Sequence, residues 1–135
     1  MENVVNVFVY GSLRKQEKNH YMMKNYACLS MDAWIYGKLY DGFAGYPFLI
    51  LDEKSKVYGE IYQVPSKDLG VLDEFEDYFP GGENNLYERV EVEAFTKTSC
   101  LKVYVYVCLQ QEMLKEEIVH GNWSLVEEIR KKDRE

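Results

Sequence analysis

The sequence predicts an α+β fold: a small mixed β-barrel carrying a few short helices. Three observations lead there. Most apolar runs are strand-length and rich in Val, Ile and aromatic residues. Gly, Pro and Asp clusters punctuate them at short intervals. Only three segments have helical spacing, too few to alternate with the strands as a parallel α/β sheet requires. Closing the strands into a barrel would leave no exposed sheet edges.

Taken in order, residues 4–10 are rich in valine and aromatics and read as a buried strand. It stops at the breaker pair Gly11-Ser12. Residues 19–26 have helical character, with Asn19 as a candidate cap. Strands are expected over 33–40, 48–51 and 57–64, set apart by Asp41-Gly42 and Gly45-Tyr46-Pro47. Pro65-Ser66 opens a short helix to about Asp77, with Ser66 as its N-cap. Two more strands follow, 87–95 and 101–109. In the first, the charged Arg89, Glu91 and Glu93 alternate with Val90 and Val92, so one face is wet. In the second, Tyr104 and Tyr106 share a side. Residues 122–132 form a closing helix with Trp123, Val126 and Ile129 on its apolar side.

With 135 residues, one domain spanning 1–135 is expected. The formal net charge of −7 argues against nucleic acid or anionic membrane as partners. Cys28, Cys100 and Cys108 are odd in number and match no metal framework, as expected of free thiols in a reducing compartment. His20 and His120 are too far apart in sequence to argue a metal site. The first residues lack a basic, signal-like pattern, and no run approaches the ~20 apolar residues of a membrane span. A soluble cytoplasmic protein is expected.

Two features carry chemistry. The loop Tyr10-Gly11-Ser12-Leu13 follows what should be a central strand. A glycine there frees successive N–H groups, which can form a concave nest for a carboxylate or phosphate; an ordinary turn has the same sequence. It is not a P-loop, because Lys15 is misplaced and the second glycine is missing. The other feature is Glu76. On a helix of about 100° per residue, Leu69, Leu72 and Phe75 make an apolar arc, and Glu76 falls within about 40° of its middle. Asp73, Glu74 and Asp77 point away. A carboxyl aimed inward is either paired, with Arg89 or Lys102 as candidates, or has the raised pKa that general acid–base work needs.

Taken together, these segments resemble the γ-glutamylcyclotransferase superfamily, including its γ-glutamylamine and AIG2-like branches. The resemblance rests on Val7 to Arg14, on Asn19, and on Gly37-Lys38-Leu39-Tyr40 followed by Gly45-Tyr46-Pro47. It continues through Val57-Tyr58-Gly59-Glu60-Ile61-Tyr62, Leu72-Asp73-Glu74-Phe75-Glu76, Tyr87-Glu88-Arg89 and Gly121-Asn122-Trp123. No block is specific alone; their order along the chain is. This chain departs from the pattern in two places. Lys15 to Lys18 fill a stretch that often holds a glycine. Residues 78–85 lengthen the link to Tyr87, as a lid or as a passive insertion.

The resemblance implies a γ-glutamylcyclotransferase-like fold and an enzyme that cyclises a γ-glutamyl group to 5-oxoproline, releasing an amine or amino acid. It implies a small-molecule γ-glutamyl substrate and neither cofactor nor metal. Glu76 matches the family's catalytic glutamate, serving as general base and then acid. Tyr10, Gly11, Ser12 and Leu13 would hold the α-carboxylate or the reacting carbonyl. Tyr46 and Pro47 are candidates for the pocket wall, and Tyr87 and Tyr106 for hydroxyl contributions. A non-catalytic ligand-binding or regulatory module on the same fold is the alternative, with Glu76 the residue that discriminates. A thiol enzyme using Cys28 or Cys108 lacks a histidine signal nearby.

Overall fold

In a computed structural model, which describes residues 3–133, six strands form one sheet. They are β1 (Val4–Val9), β2 (Ala27–Asp41), β3 (Pro47–Pro65), β4 (Tyr87–Phe95), β5 (Cys100–Cys108) and β6 (Glu116–Ile118). The order β3-β1-β5-β4-β2 closes on itself because β2 also pairs with β3. The result is a closed five-stranded barrel with β6 added along β2. One junction, β1 with β5, is parallel and the others are antiparallel, so the barrel is mixed. Two α-helices accompany it, α1 (Leu69–Phe75) and α2 (Trp123–Asp133). Neither is long and apolar enough to cross a membrane.

The second half of β1, Val7 to Val9, is buried on both faces, where the sequence predicts a buried strand, whereas Val4 is exposed and Val5 and Asn6 are half-buried. Phe8 and Tyr10 join Ile35, Leu49, Val57, Ile61 and Val105 in the barrel interior. Val7 and Val9 join Leu72, Phe48, Tyr87 and Tyr106 in a second cluster on the outer face, beneath α1. That second cluster fixes α1 against the end of β1, and so sets the place of the site.

Several expectations are corrected. The separate strands at 48–51 and 57–64 are one long β3, whose register against β2 jumps from Tyr36↔Lys56 to Gly37↔Leu51. The Asp52 carboxylate stabilises that excursion by accepting the N–H groups of Lys54 and Ser55. β2 begins earlier than expected, at Ala27, and β6 was not foreseen at all. The helix expected over 19–26 is a single 3₁₀ turn, His20–Met22. Its Asn19 side chain makes no cap, because it is spent on Ser12. The helix expected from Pro65 is a 3₁₀ turn, Ser66–Asp68, running into α1, and neither Ser66 nor Asp68 makes a side-chain cap.

Candidate functional site

Beside the end of β1 lies a cavity of about 570 Å³. Its lining includes Tyr10, Gly11, Ser12, Leu13, Tyr46, Pro47, Glu76, Tyr87 and Tyr106, the nine residues singled out from sequence. Five elements supply them: the loop after β1, the start of β3, the end of α1, and the adjoining strands β4 and β5. Phe8, Lys18, Asn19, Phe75, Asp77 and Leu86 also contribute.

The loop is held open by its side chains. Ser12 O accepts the Asn19 N–H at 2.9 Å, and Ser12 Oγ accepts Asn19 Nδ2 at 3.0 Å. His20 Nδ1 lies 2.9 Å from Leu13 O. The loop's carbonyls are therefore engaged. The N–H groups of Gly11, Ser12 and Leu13 find no acceptor among the described residues. They are donors in want of an anion or carbonyl oxygen. Gly11 is required here for space rather than for an unusual φ: a β-carbon on it would stand 2.7 Å from Pro47 Cδ.

Beyond the loop, Glu60 makes a buried anchor that sequence reasoning matched to the family but gave no role. Its carboxylate, 3% exposed, accepts Arg14 Nε at 3.0 Å, Lys15 N at 2.9 Å and the Tyr62 hydroxyl at 2.8 Å. Arg14 Nη1 continues to Asn122 Oδ1 at 2.9 Å. This network ties the loop to β3 and to the start of α2. A glutamate inside an otherwise apolar strand run, Val57 to Val64, was the available signal.

Glu76 forms the C-terminal boundary of α1, its N–H donating to Leu72 O at 2.9 Å. The following Asp77 takes a left-handed φ of 53°, which turns the chain away. Among the described residues no ion pair or hydrogen bond reaches the Glu76 carboxylate. By surface area Glu76 is half-buried, but its carboxyl is densely surrounded by protein, and that desolvation raises its pKa to about 8. The candidate partner Arg89 turns instead to Asp73, Nη1 donating to Oδ2 at 2.5 Å.

That pairing corrects the reading of α1. Asp73 was expected to point away; it is buried, and Phe75 is exposed. The inward face is Leu69, Leu72, Asp73 and Glu76, which spans about 100° on a helical projection. Arg89 and Tyr106, both distant in sequence, satisfy the Asp73 carboxylate and allow its burial.

The tyrosine hydroxyls serve the scaffold. Tyr10 donates to Tyr106 O at 2.6 Å, Tyr87 to Pro47 O at 3.0 Å and Tyr106 to Asp73 Oδ1 at 2.7 Å. Burial, reinforced by the nearby Glu76 charge, pushes all three well above the ordinary phenol pKa. They present aromatic walls and oxygen lone pairs to the cavity. Tyr46 packs on Phe48, with the Lys18 ammonium 5.9 Å from its ring centroid. None of residues 78–85 lines the cavity; Asn85 staples that loop to itself through both backbone groups of Phe79.

A cavity lined by both a desolvated, unpaired carboxyl and unsatisfied backbone donors can deprotonate a bound amine and stabilise an oxyanion. Residues 7–125 match the family described as gamma-glutamyl cyclotransferase, AIG2-like. A Niallia circulans protein named gamma-L-glutamyl-butirosin B gamma-glutamyl cyclotransferase is 47% identical over 89 residues, covering 65% of this chain and 56% of that one. The match therefore spans little more than half of that relative. A Halalkalibacterium halodurans protein, named provisionally as a gamma-glutamylcyclotransferase, is 40% identical over 103 residues, covering 75% of this chain and 90% of that one. The crystal structure of an AIG2-like protein from Mus musculus superposes with a TM-score of 0.74 at 25% identity, covering 90% of this chain and 88% of that one.

Proposed function

Because the chain belongs to the gamma-glutamyl cyclotransferase, AIG2-like family, we propose that it cyclises a γ-glutamyl group to 5-oxoproline, with Glu76 moving the proton. The observation that carries this reading is the pairing, within one cavity, of the unpaired Glu76 carboxyl with the unsatisfied N–H groups of Gly11 to Leu13.

The steps follow from that pairing. The α-amine of the substrate must lose a proton before it attacks. Glu76, raised to about 8 by desolvation, lies closer in proton affinity to an amine than an ordinary carboxylate does, so the transfer is less uphill. The free amine then closes on its own γ-carbonyl carbon and forms the lactam C–N bond. Negative charge gathers on the carbonyl oxygen, where loop N–H groups stabilise it. Protonated Glu76 returns its proton to the departing nitrogen as the oxyanion re-forms the carbonyl and the original amide bond breaks. The second proton of the ring nitrogen then passes through the regenerated Glu76 carboxylate to the freed amine, leaving the lactam with one N–H and the amine as an ammonium. Walls of Tyr46, Pro47, Tyr87 and Tyr106 keep the chain folded in a near-attack conformer.

Mass spectrometry of 5-oxoproline release tests the reading, with no metal added. The panel holds γ-glutamyl amino acids, γ-glutamyl alkylamines and a γ-glutamylated aminoglycoside of the kind in the Niallia relative's name. Release from at least one compound is expected, and the compound identifies the leaving group. Binding without release across the panel would instead make the chain a ligand-binding module.

A further inference from the structure

The inward face of α1 carries two carboxylates one turn apart, and their fates differ. Asp73 is 7% exposed and fully engaged: Oδ1 accepts the Tyr106 hydroxyl at 2.7 Å and Oδ2 accepts Arg89 Nη1 at 2.5 Å. Arg89 is held further by aromatic rings, its guanidinium 5.2 Å from the Tyr104 centroid and 5.9 Å from that of Tyr78. Glu76 has no such partner among the described residues. The two sites are nonetheless close, since the Tyr106 hydroxyl feels the charge of both Glu76 and Arg89.

A guanidinium stays charged at every working pH and binds carboxylates bidentately. Beside Glu76 it would hold that carboxyl ionised, by about one to three pH units, and spoil it as a base near neutrality. The fold supplies both the arginine and a competing carboxylate. We propose that Asp73 is a positioning residue: by binding Arg89 and Tyr106 it keeps the guanidinium off Glu76 and leaves Glu76 unpaired in the cavity. This rests on the reading of Glu76 as the group that moves the proton.

The other ionisable groups around Glu76 do not supply that control. Tyr10 from β1, Tyr87 from β4 and Tyr106 from β5 titrate far above neutrality, and Cys108 from β5 is likewise raised by burial. Tyr46 ahead of β3, Lys18 from the loop and Asp77 after α1 line the cavity, the last two on its exposed edge. Asp73 stands one turn before Glu76 on the inward face of α1, and its partner Arg89 is half-buried.

The test titrates the Glu76 carboxyl by ¹³C NMR in protein labelled at glutamate, with the signal assigned from Glu76→Gln. Asp73→Asn is expected to lower the Glu76 midpoint by about one to two pH units, because Arg89 is released toward it. Arg89→Gln is expected to raise it, and the double variant to lie near wild type. The acid limb of kcat/KM should move with each midpoint. Opposite shifts from the two partners of one ion pair are not what general loosening produces. An unchanged midpoint in folded Asp73→Asn, or shifts of the same sign in both single variants, would overturn the proposal. If Arg89→Gln does not fold, Asp73→Asn and the double variant decide. The midpoints do not depend on turnover, so a protein silent on every substrate can still support or refute the role of Asp73.

Discussion

Gly11 and Pro47 are pressed together at the floor of the cavity, so closely that a β-carbon on Gly11 would stand 2.7 Å from Pro47 Cδ and 2.8 Å from Cγ. The proline ring is rigid, and its carbonyl accepts the Tyr87 hydroxyl at 3.0 Å, so it cannot yield freely. Gly11→Ala should displace the loop from the wall that faces it. The expected outcome is a rise in KM of roughly ten-fold or more and a stability loss of about 1–3 kcal/mol, the usual cost of overpacking. Steady-state kinetics and urea denaturation of the same preparation check both.

Glu60 anchors the loop from behind, and its partners are buried with it. Glu60→Ala leaves Arg14 as an uncompensated buried charge, so a loss of about 3–5 kcal/mol is expected. Glu60→Gln keeps the shape and part of the hydrogen bonding and should lose less. Denaturant midpoints of the two variants, compared at equal m-value, give the ordering.

The pH dependence of stability has a definite sign. Glu76 binds its proton more tightly when folded, at about 8, than in the unfolded chain, near the usual 4.5. Between those values the native state holds more protons than the unfolded state, so stability falls as pH rises through that window. The stabilising effect is complete below about 4.5 and gone above about 8. Glu76→Gln removes the titration, and its Tm should exceed that of wild type at pH 8 by more than at pH 5. The gain at pH 8 is on the order of 2 kcal/mol, since Glu76 is only half-buried by area. Scanning calorimetry at the two pH values reads it directly.

Tyr87 gives a control. Its hydroxyl proton goes to Pro47 O rather than to the open cavity. Tyr87→Phe should therefore cost about 1 kcal/mol in stability and leave kcat within about three-fold of wild type, because the ring wall is kept. A collapse of kcat in a well-folded variant would mean that the hydroxyl reaches the substrate.

These outcomes also mark how far the sequence could be read. The barrel was legible because β1 and β5 carry strand-type apolar runs, and the breakers Gly11-Ser12 and Gly45-Tyr46 stand where the chain turns, after β1 and between β2 and β3. The cavity lining was legible through the ordered family blocks. What was not legible came from contacts distant in sequence. Asp73 looks solvated until Arg89 from β4 and Tyr106 from β5 are brought against it. The bridge between 48–51 and 57–64 depends on a register jump against β2, which no local period reveals. Asn19 resembled a helix cap, but its side chain is claimed by Ser12 seven residues earlier.

The central claim is that Glu76 carries the proton. It is tested most directly by the rate of 5-oxoproline release from Glu76→Gln on whichever γ-glutamyl compound the wild type cleaves. Glutamine keeps the shape of the side chain and cannot act as base or acid, so the account predicts a fall in kcat of about 10²-fold or more with an unchanged circular dichroism spectrum. Turnover by Glu76→Gln within a few-fold of wild type would contradict it.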